Sequence, residues 1–149
     1  MTDRAYDLEE RLLDYAVLVI HVTENMRPTR AALHVGDQFL RCGTSPLFNH
    51  GEAQAAESQR DFIHKLKLCL KELREAKRAI RLIGRVPLSD DKEKVAAAFA
   101  ETEELIRIFV ASIRTAQKNA VREEPSAQYG IPTSMFDVER SVFDVSQDS

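Results

Sequence analysis

The sequence predicts an all-α protein, an antiparallel up-down four-helix bundle. Three observations predict it. Apolar residues recur in steps of four and three through three of the four segments, the period of a helix with one buried face. The connections between the segments are short and carry helix caps or proline. Five glycines, five prolines and no tryptophan in 149 residues leave too few tight turns for an all-β chain. A chain of this length builds one domain with a real core. Residues 1–122 are assigned to the bundle and 123–149 to an acidic linker and tail.

The first helix is expected from about Ala5 to Met26. Its seam is Leu8, Leu12, Tyr15, Val19, Val22 and Met26. Leu13, Val17 and Ile20 form a second stripe, wider than a lone helix needs. Arg27-Pro28 ends the segment, because a residue before proline is pushed out of the helical region. Thr29 is the expected N-cap of the second helix, which reaches about Ala56. Pro46 falls inside it, so the sequence predicts either a kink there or two shorter helices broken between Gly43 and Pro46. Ser58 caps the third helix, with Asp61 in its first turn. The seam there is Phe62, Leu66, Cys69, Leu73, Ala76, Ile80 and Ile83, and Gly84 with Pro87 is expected to stop it. The fourth helix should start after Ser89 or Asp90 and run to about Val121. Glu123 to Thr133 reads as a linker, and Ser134 to Val145 as either a short extra helix or a disordered acidic tail.

The composition, 44% hydrophobic and 30% charged, is that of an ordinary globular chain. Net charge is −3, which speaks against indiscriminate nucleic-acid binding, yet the distribution is uneven. Arg60 to Arg85 carries nine basic and three acidic residues, while Glu123 to Ser149 carries six acidic residues and one arginine. Cys42 and Cys69 are expected as buried thiols in a reducing compartment rather than as a disulfide. The polar, acidic start MTDRAYDLEE does not resemble a signal peptide, and no apolar run approaches the roughly 20 residues that span a bilayer. A cytoplasmic location is the expectation.

Lys67, Lys71, Arg74, Arg78, Arg81 and Arg85 also step by four and three, on a band well away from the apolar seam. Such a stripe suits a phosphate backbone or an acidic protein surface; the alternative is pairing with carboxylates such as Glu101, Glu103 and Glu104 within the chain or across an assembly. No aromatic residue interleaves it, so base stacking is not indicated. Leu68, Ala79 and Leu82 share another face of this helix and suit a contact between copies. Ser45, Asn49 and Glu52, at i, i+4 and i+7, read as a structural polar face fixing helix register or a subunit contact. A competing reading makes Glu52, with His50 nearby, part of a small-molecule or metal site. A di-iron bundle needs Glu-x-x-His pairs, and none of His21, His34, His50 or His64 has a glutamate three residues before it. No catalytic residue, metal site or cofactor is therefore expected, and the chain is read as non-enzymatic.

Arg41, Gly43, Thr44, Ser45, Asn49, Glu52 and Ala53, followed by Ser58, Asp61, Phe62, Ile63, Lys65, Leu66, Leu70, Lys71 and Glu72, form a pattern that resembles the four-helix-bundle proteins encoded within intervening sequences of bacterial 23S rRNA genes. Pro46 departs from that pattern, where isoleucine is common, as do the basic Arg74 and Arg78 and the acidic tail. The resemblance implies a left-handed four-helix bundle assembled into a homopentamer. It also implies kinship with the accessory protein of diversity-generating retroelements, a basic pentamer that partners a reverse transcriptase and binds RNA or DNA. On this reading the chain is a homo-oligomeric interaction or scaffold protein. An accessory subunit of a reverse transcriptase is the alternative.

Overall fold

A computed structural model describes the chain from residue 4 to residue 123. Its elements are α1 (Arg4–Glu24), α2 (Arg30–Gln54), α3 (Gln59–Arg85) and α4 (Lys92–Glu123). Two compact units divide the chain between Gln117 and Lys118. The first holds the four packed helices; of the second, the structure describes the continuation of α4 as far as Glu123. The expected linker and the segment from Ser134 to Val145 lie outside the described residues.

The helices run up and down in turn, as cross-helix contacts show. Along α1 and α2, Val19 meets Gly43 and Met26 meets Gly36. Along α2 and α3, Arg41 reaches Glu72 and Glu75, the Cys69 thiol donates to the Pro46 carbonyl, and Lys65 reaches Glu52. Lys77 pairs with Glu103, Gly84 faces Val95, and Gln59 donates to the Ala116 carbonyl, so α4 returns antiparallel to α3. Arg11 binds Glu101 across α1 and α4. The core holds Leu12, Tyr15, Val19 and Val22 from α1; Phe39, Cys42 and Ala53 from α2; Leu66, Cys69, Leu73, Ala76, Ile80 and Ile83 from α3; and Ala98, Leu105, Phe109 and Ile113 from α4. Of the expected seams, Leu8, Met26 and Phe62 are only half-buried, while Ile63 and Leu70 are buried as well. One buried polar pair spans the bundle. Thr102 donates to the Ala98 carbonyl at 2.6 Å, so the 2.7 Å contact between Tyr15 and Thr102 has the phenol as donor.

Both expected caps are present. The Thr29 hydroxyl accepts from Ala32 N at 3.1 Å and the Ser58 hydroxyl from Asp61 N at 3.0 Å. α2 passes unbroken through Pro46, which removes the alternative of two shorter helices. In the turn before the proline the hydroxyls of Thr44 and Ser45 donate back to the carbonyls of Leu40 and Arg41, both at 2.7 Å.

Three boundaries differ from the periodicity. α1 stops at Glu24, because Asn25 to Arg27 are taken up by the connection between α3 and α4. Arg27 N donates to the Leu88 carbonyl at 2.9 Å, the Ser89 hydroxyl to the Asn25 carbonyl at 3.2 Å, and the Arg27 guanidinium holds Asp90 at 2.8 Å. Ser89 and Asp90 are thereby committed, and α4 starts one residue later, with the Asp91 carboxylate accepting from Lys94 N at 3.1 Å. Gly84 does not end α3. It is a helical residue opposite Val95, and the helix closes past Arg85 with Val86 N bonded to the Leu82 carbonyl.

Among the described residues, glycine is required at one place. A Cβ on Gly43 would lie 2.7 and 2.8 Å from the two Cγ atoms of Val19, a short branched side chain with no room to swing away. Gly51, in the same helix, has nothing within 4 Å of its Cβ position. Gly43→Ala should therefore lower stability by about 1–3 kcal/mol through overpacking, and Val19→Ala in the same chain should recover part of that loss. Gly51→Ala should raise stability by about 0.5–1 kcal/mol, since it only restricts the unfolded chain. Urea midpoints of the three variants check this contrast.

Candidate functional site

The basic stripe is one helix face, as its spacing requires. Lys71, Arg78, Arg81 and Arg85 are exposed, while Lys67 and Arg74 are half-buried. Burial is the main cause that holds the Arg74 guanidinium below its ordinary pKa, and the like charge of Arg78 adds to it. Of the carboxylates that could neutralise the stripe, Glu101, Glu103 and Glu104 of α4 are occupied elsewhere. Glu101 takes Arg11, Glu103 takes Lys77, which lies round the helix from the stripe, and Glu104 takes Arg107. Among the described residues, no carboxylate pairs with Lys71, Arg78, Arg81 or Arg85; the one bond recorded from these heads is Arg78 to the Arg74 carbonyl at 3.3 Å. The stripe is a set of like charges held on a rigid rod.

Of the suggested contacts between copies, Leu82 is exposed and Leu68 and Ala79 are half-buried. Leu82 lies beside Lys71, Arg78 and Arg85 in helical register, and Val86 extends the apolar edge.

Ser45, Asn49 and Glu52 share a face of α2, but no hydrogen bond joins them. Ser45 bonds within its own helix, and Glu52, exposed, reaches across to Lys65 at 2.9 Å, raising the lysine pKa. Close by, Arg41 lies 3.4 Å from Glu75 and 3.5 Å from Glu72. The buried Glu72 oxygen makes that charge contact without a hydrogen bond. These pairs set the register of α2 against α3.

His50 and Glu52 do not converge on a pocket. The His50 ring is buried, edge-on to Phe109 with centroids 6.3 Å apart, its Nε2 is 3.3 Å from the Gln54 amide nitrogen, and its Nδ1 has no partner. Burial lowers its pKa, and the more distant Glu9 opposes the shift. Cys42 and Cys69 are free, buried thiols, pushed up by burial to about 11 and about 12 respectively. Among the described residues, no group of three or more His, Cys, Asp or Glu is placed to hold a metal ion. No helix among them is long and apolar enough to cross a membrane.

The periodicity of α1 singled out Leu13, Val17 and Ile20, but not their counterpart on α2. Leu33 and Leu40, and further along Phe48, are exposed too. Leu33 and Leu40 stand three or four residues from Gly36 and Gly43, the points where α2 touches α1, so they lie on the α1 side of α2. Leu13, Val17 and Ile20 lie on the α2 side of α1, since Arg11 reaches α4 from the other side. The two stripes therefore flank one seam. Glycines spaced by seven in α2 were the available signal.

These features define an all-helical up-down bundle with one basic helix face and one exposed apolar seam. A crystal structure at 1.70 Å of a protein of unknown function from the S23 ribosomal protein family, from Bacteroides thetaiotaomicron VPI-5482, is similar to it. The TM-score is 0.64 and the identity 27%, over 70% of this chain and 96% of that one. The chain thus shares its fold with a member of that family. No family model matches the sequence, and no curated protein matches it.

Two outcomes follow from the buried groups. Because the folded-state pKa of His50 lies below the unfolded value of about 6.5, the unfolded chain binds the extra proton first. Stability is full above that pH and is lost as the pH falls below it. Urea midpoints taken from pH 8 to pH 5 should fall for the wild type, and His50→Leu should flatten that slope. The thiols should resist iodoacetamide at pH 8 in the folded protein and react with both equivalents once it is unfolded in urea, as intact mass will show.

Proposed function

We propose that the chain is a non-enzymatic, homo-oligomeric scaffold that holds an acidic macromolecule against α3. The observation that carries this reading is the exposed run Lys71, Arg78, Arg81 and Arg85 without a carboxylate partner among the described residues. Neighbouring cations repel, so keeping four on one rigid face costs stability unless an anion relieves it. The helix fixes their spacing in advance, which lowers the ordering cost of binding.

Two further features support the reading. The resemblance to the intervening-sequence bundle proteins implies self-assembly, and the related accessory protein of diversity-generating retroelements is a basic pentamer that binds nucleic acid. The similarity to a protein of unknown function from the S23 ribosomal protein family, covering nearly all of that chain, supports the bundle fold on which the reading is built. The accessory-subunit alternative uses the same surface, with a reverse transcriptase bound beside the nucleic acid.

Retention on immobilised RNA, DNA and polyglutamate across a salt gradient tests the surface. Each phosphate contact contributes roughly 0.7 to the slope of log affinity against log salt on a single strand, so replacing Lys71, Arg78 and Arg81 by glutamine should reduce that slope by roughly 2. A slope change on nucleic acid alone identifies it as the polyanion, and an equal loss on polyglutamate identifies a general acidic surface. If the triple variant is retained on every matrix as the wild type is, the α3 face is not the contact.

A further inference from the structure

The cations of α3 keep a repeat of seven residues. Arg60, Lys67, Arg74 and Arg81 stand on one line along the helix, and His64, Lys71, Arg78 and Arg85 on the line beside it. Neither line holds an acid from one end of α3 to the other. The buried side keeps the same repeat, with Leu66, Leu73 and Ile80 on one line and Cys69, Ala76 and Ile83 on another. Next to the cations, on the side towards α2, come Leu68, Glu75 and Leu82, and then Glu72, Ala79 and Val86. Arg41 of α2 takes both of those glutamates. The apolar members remain, with Leu68 and Ala79 half-buried and Leu82 and Val86 47% and 55% exposed.

A strict repeat of seven is a pattern that one helix matches to another. A straight helix drifts about 20° per heptad, so a line of this period stays against a neighbour only if the two wind together in a left-handed sense. In such pairs apolar residues make the seam, and charges beside it meet opposite charges on the partner. The outer side of α3 offers both parts. We infer that it is a docking site for an acidic amphipathic helix of another protein. That helix places carboxylates seven residues apart against Lys71, Arg78 and Arg85, and apolar side chains against Leu82 and Val86. A nucleic-acid strand would answer the cations alone and leave Leu82 and Val86 in water, and no aromatic residue lies among the cations to stack a base. The same face of a second α3 does not fit, because it would set cation against cation. The inference rests on the proposed reading of α3 as a contact surface, and it names the class of partner.

Three probes added to the full chain test it: a labelled three-heptad peptide with glutamate and leucine at matching positions, a scrambled peptide of the same composition, and a single-stranded RNA. Fluorescence anisotropy should show the heptad peptide binding, and the scrambled one about tenfold more weakly. Leu82→Ser with Val86→Ser should weaken the heptad peptide about tenfold while RNA retention stays as it is. Arg78→Gln with Arg85→Gln should weaken the peptide and lower its salt dependence. Far-UV circular dichroism checks that each variant remains helical. Equal binding of the two peptides, or a heptad peptide indifferent to Leu82 and Val86, would overturn the inference. If neither peptide binds while RNA is held through the stripe, the helix is wrong and the α3 contact stands. If no probe is held through α3, both readings fail.

Discussion

The close approach of α1 and α2 at Gly43 is the contact on which the rest of this molecule depends. Val19 packs where the Cβ of any other residue would stand, so the two helices meet side chain against backbone. That closeness has a consequence beyond the core. Residues one step round each helix from the seam, among them Ile20 on α1 and Leu40 on α2, are brought alongside each other on the outside. The exposed stripes of α1 and α2 therefore flank the same helix contact. Single exposed leucines are ordinary on any protein; a contiguous strip is what an interface uses.

The charged pairs do a different job. Each is at least partly exposed, so each adds little to stability. Their effect is in register and in accounting for charge. Arg41 and Lys65 tie α2 to α3 at two heights, and Lys77 and Arg11 tie α4 to its neighbours. Once these pairs are made, Glu101, Glu103 and Glu104 of α4 are used up. Of the charges left over, the cations Lys71, Arg78, Arg81 and Arg85 segregate on one face of α3. Sequence proximity does not reveal that segregation, because which acid neutralises which base is settled only when the helices are laid side by side.

How much could be read in advance varies with the range of the interaction. Most of the buried residues of α1 and α3 were legible, because a 3.6-residue period is imposed by the backbone of one helix, while Ile63 and Leu70 were missed and Leu8, Met26 and Phe62 are only half-buried. The caps at Thr29 and Ser58 were legible for the same reason, each hydroxyl serving an amide three residues away. The ends of α1 and the start of α4 were not. Asn25 to Arg27 and Leu88 to Asp90 bind each other across more than sixty residues of chain, and that exchange overrides the local preference to continue the helix. Gly84 misled for a related reason: it reads as a stop signal, but it serves as a small helical residue opposite Val95. The spacing of Ser45, Asn49 and Glu52 gave a shared face correctly, while their partners proved to be a local carbonyl and a lysine on α3 rather than one another.

The sequence by itself determined the number of helices, most of the buried faces of the first and third, and the existence of a basic stripe on the third. All three follow from the periodicity of side chains along single helices, where neighbours in space are three or four residues apart in the chain. The tertiary structure decided which charges remain unpaired, where α1 stops, and that the exposed apolar residues of α1 and α2 flank one helix contact. Those depend on which helix lies beside which, and at what distance. That distance is set by the glycine contact, and no single helix contains the information that fixes it.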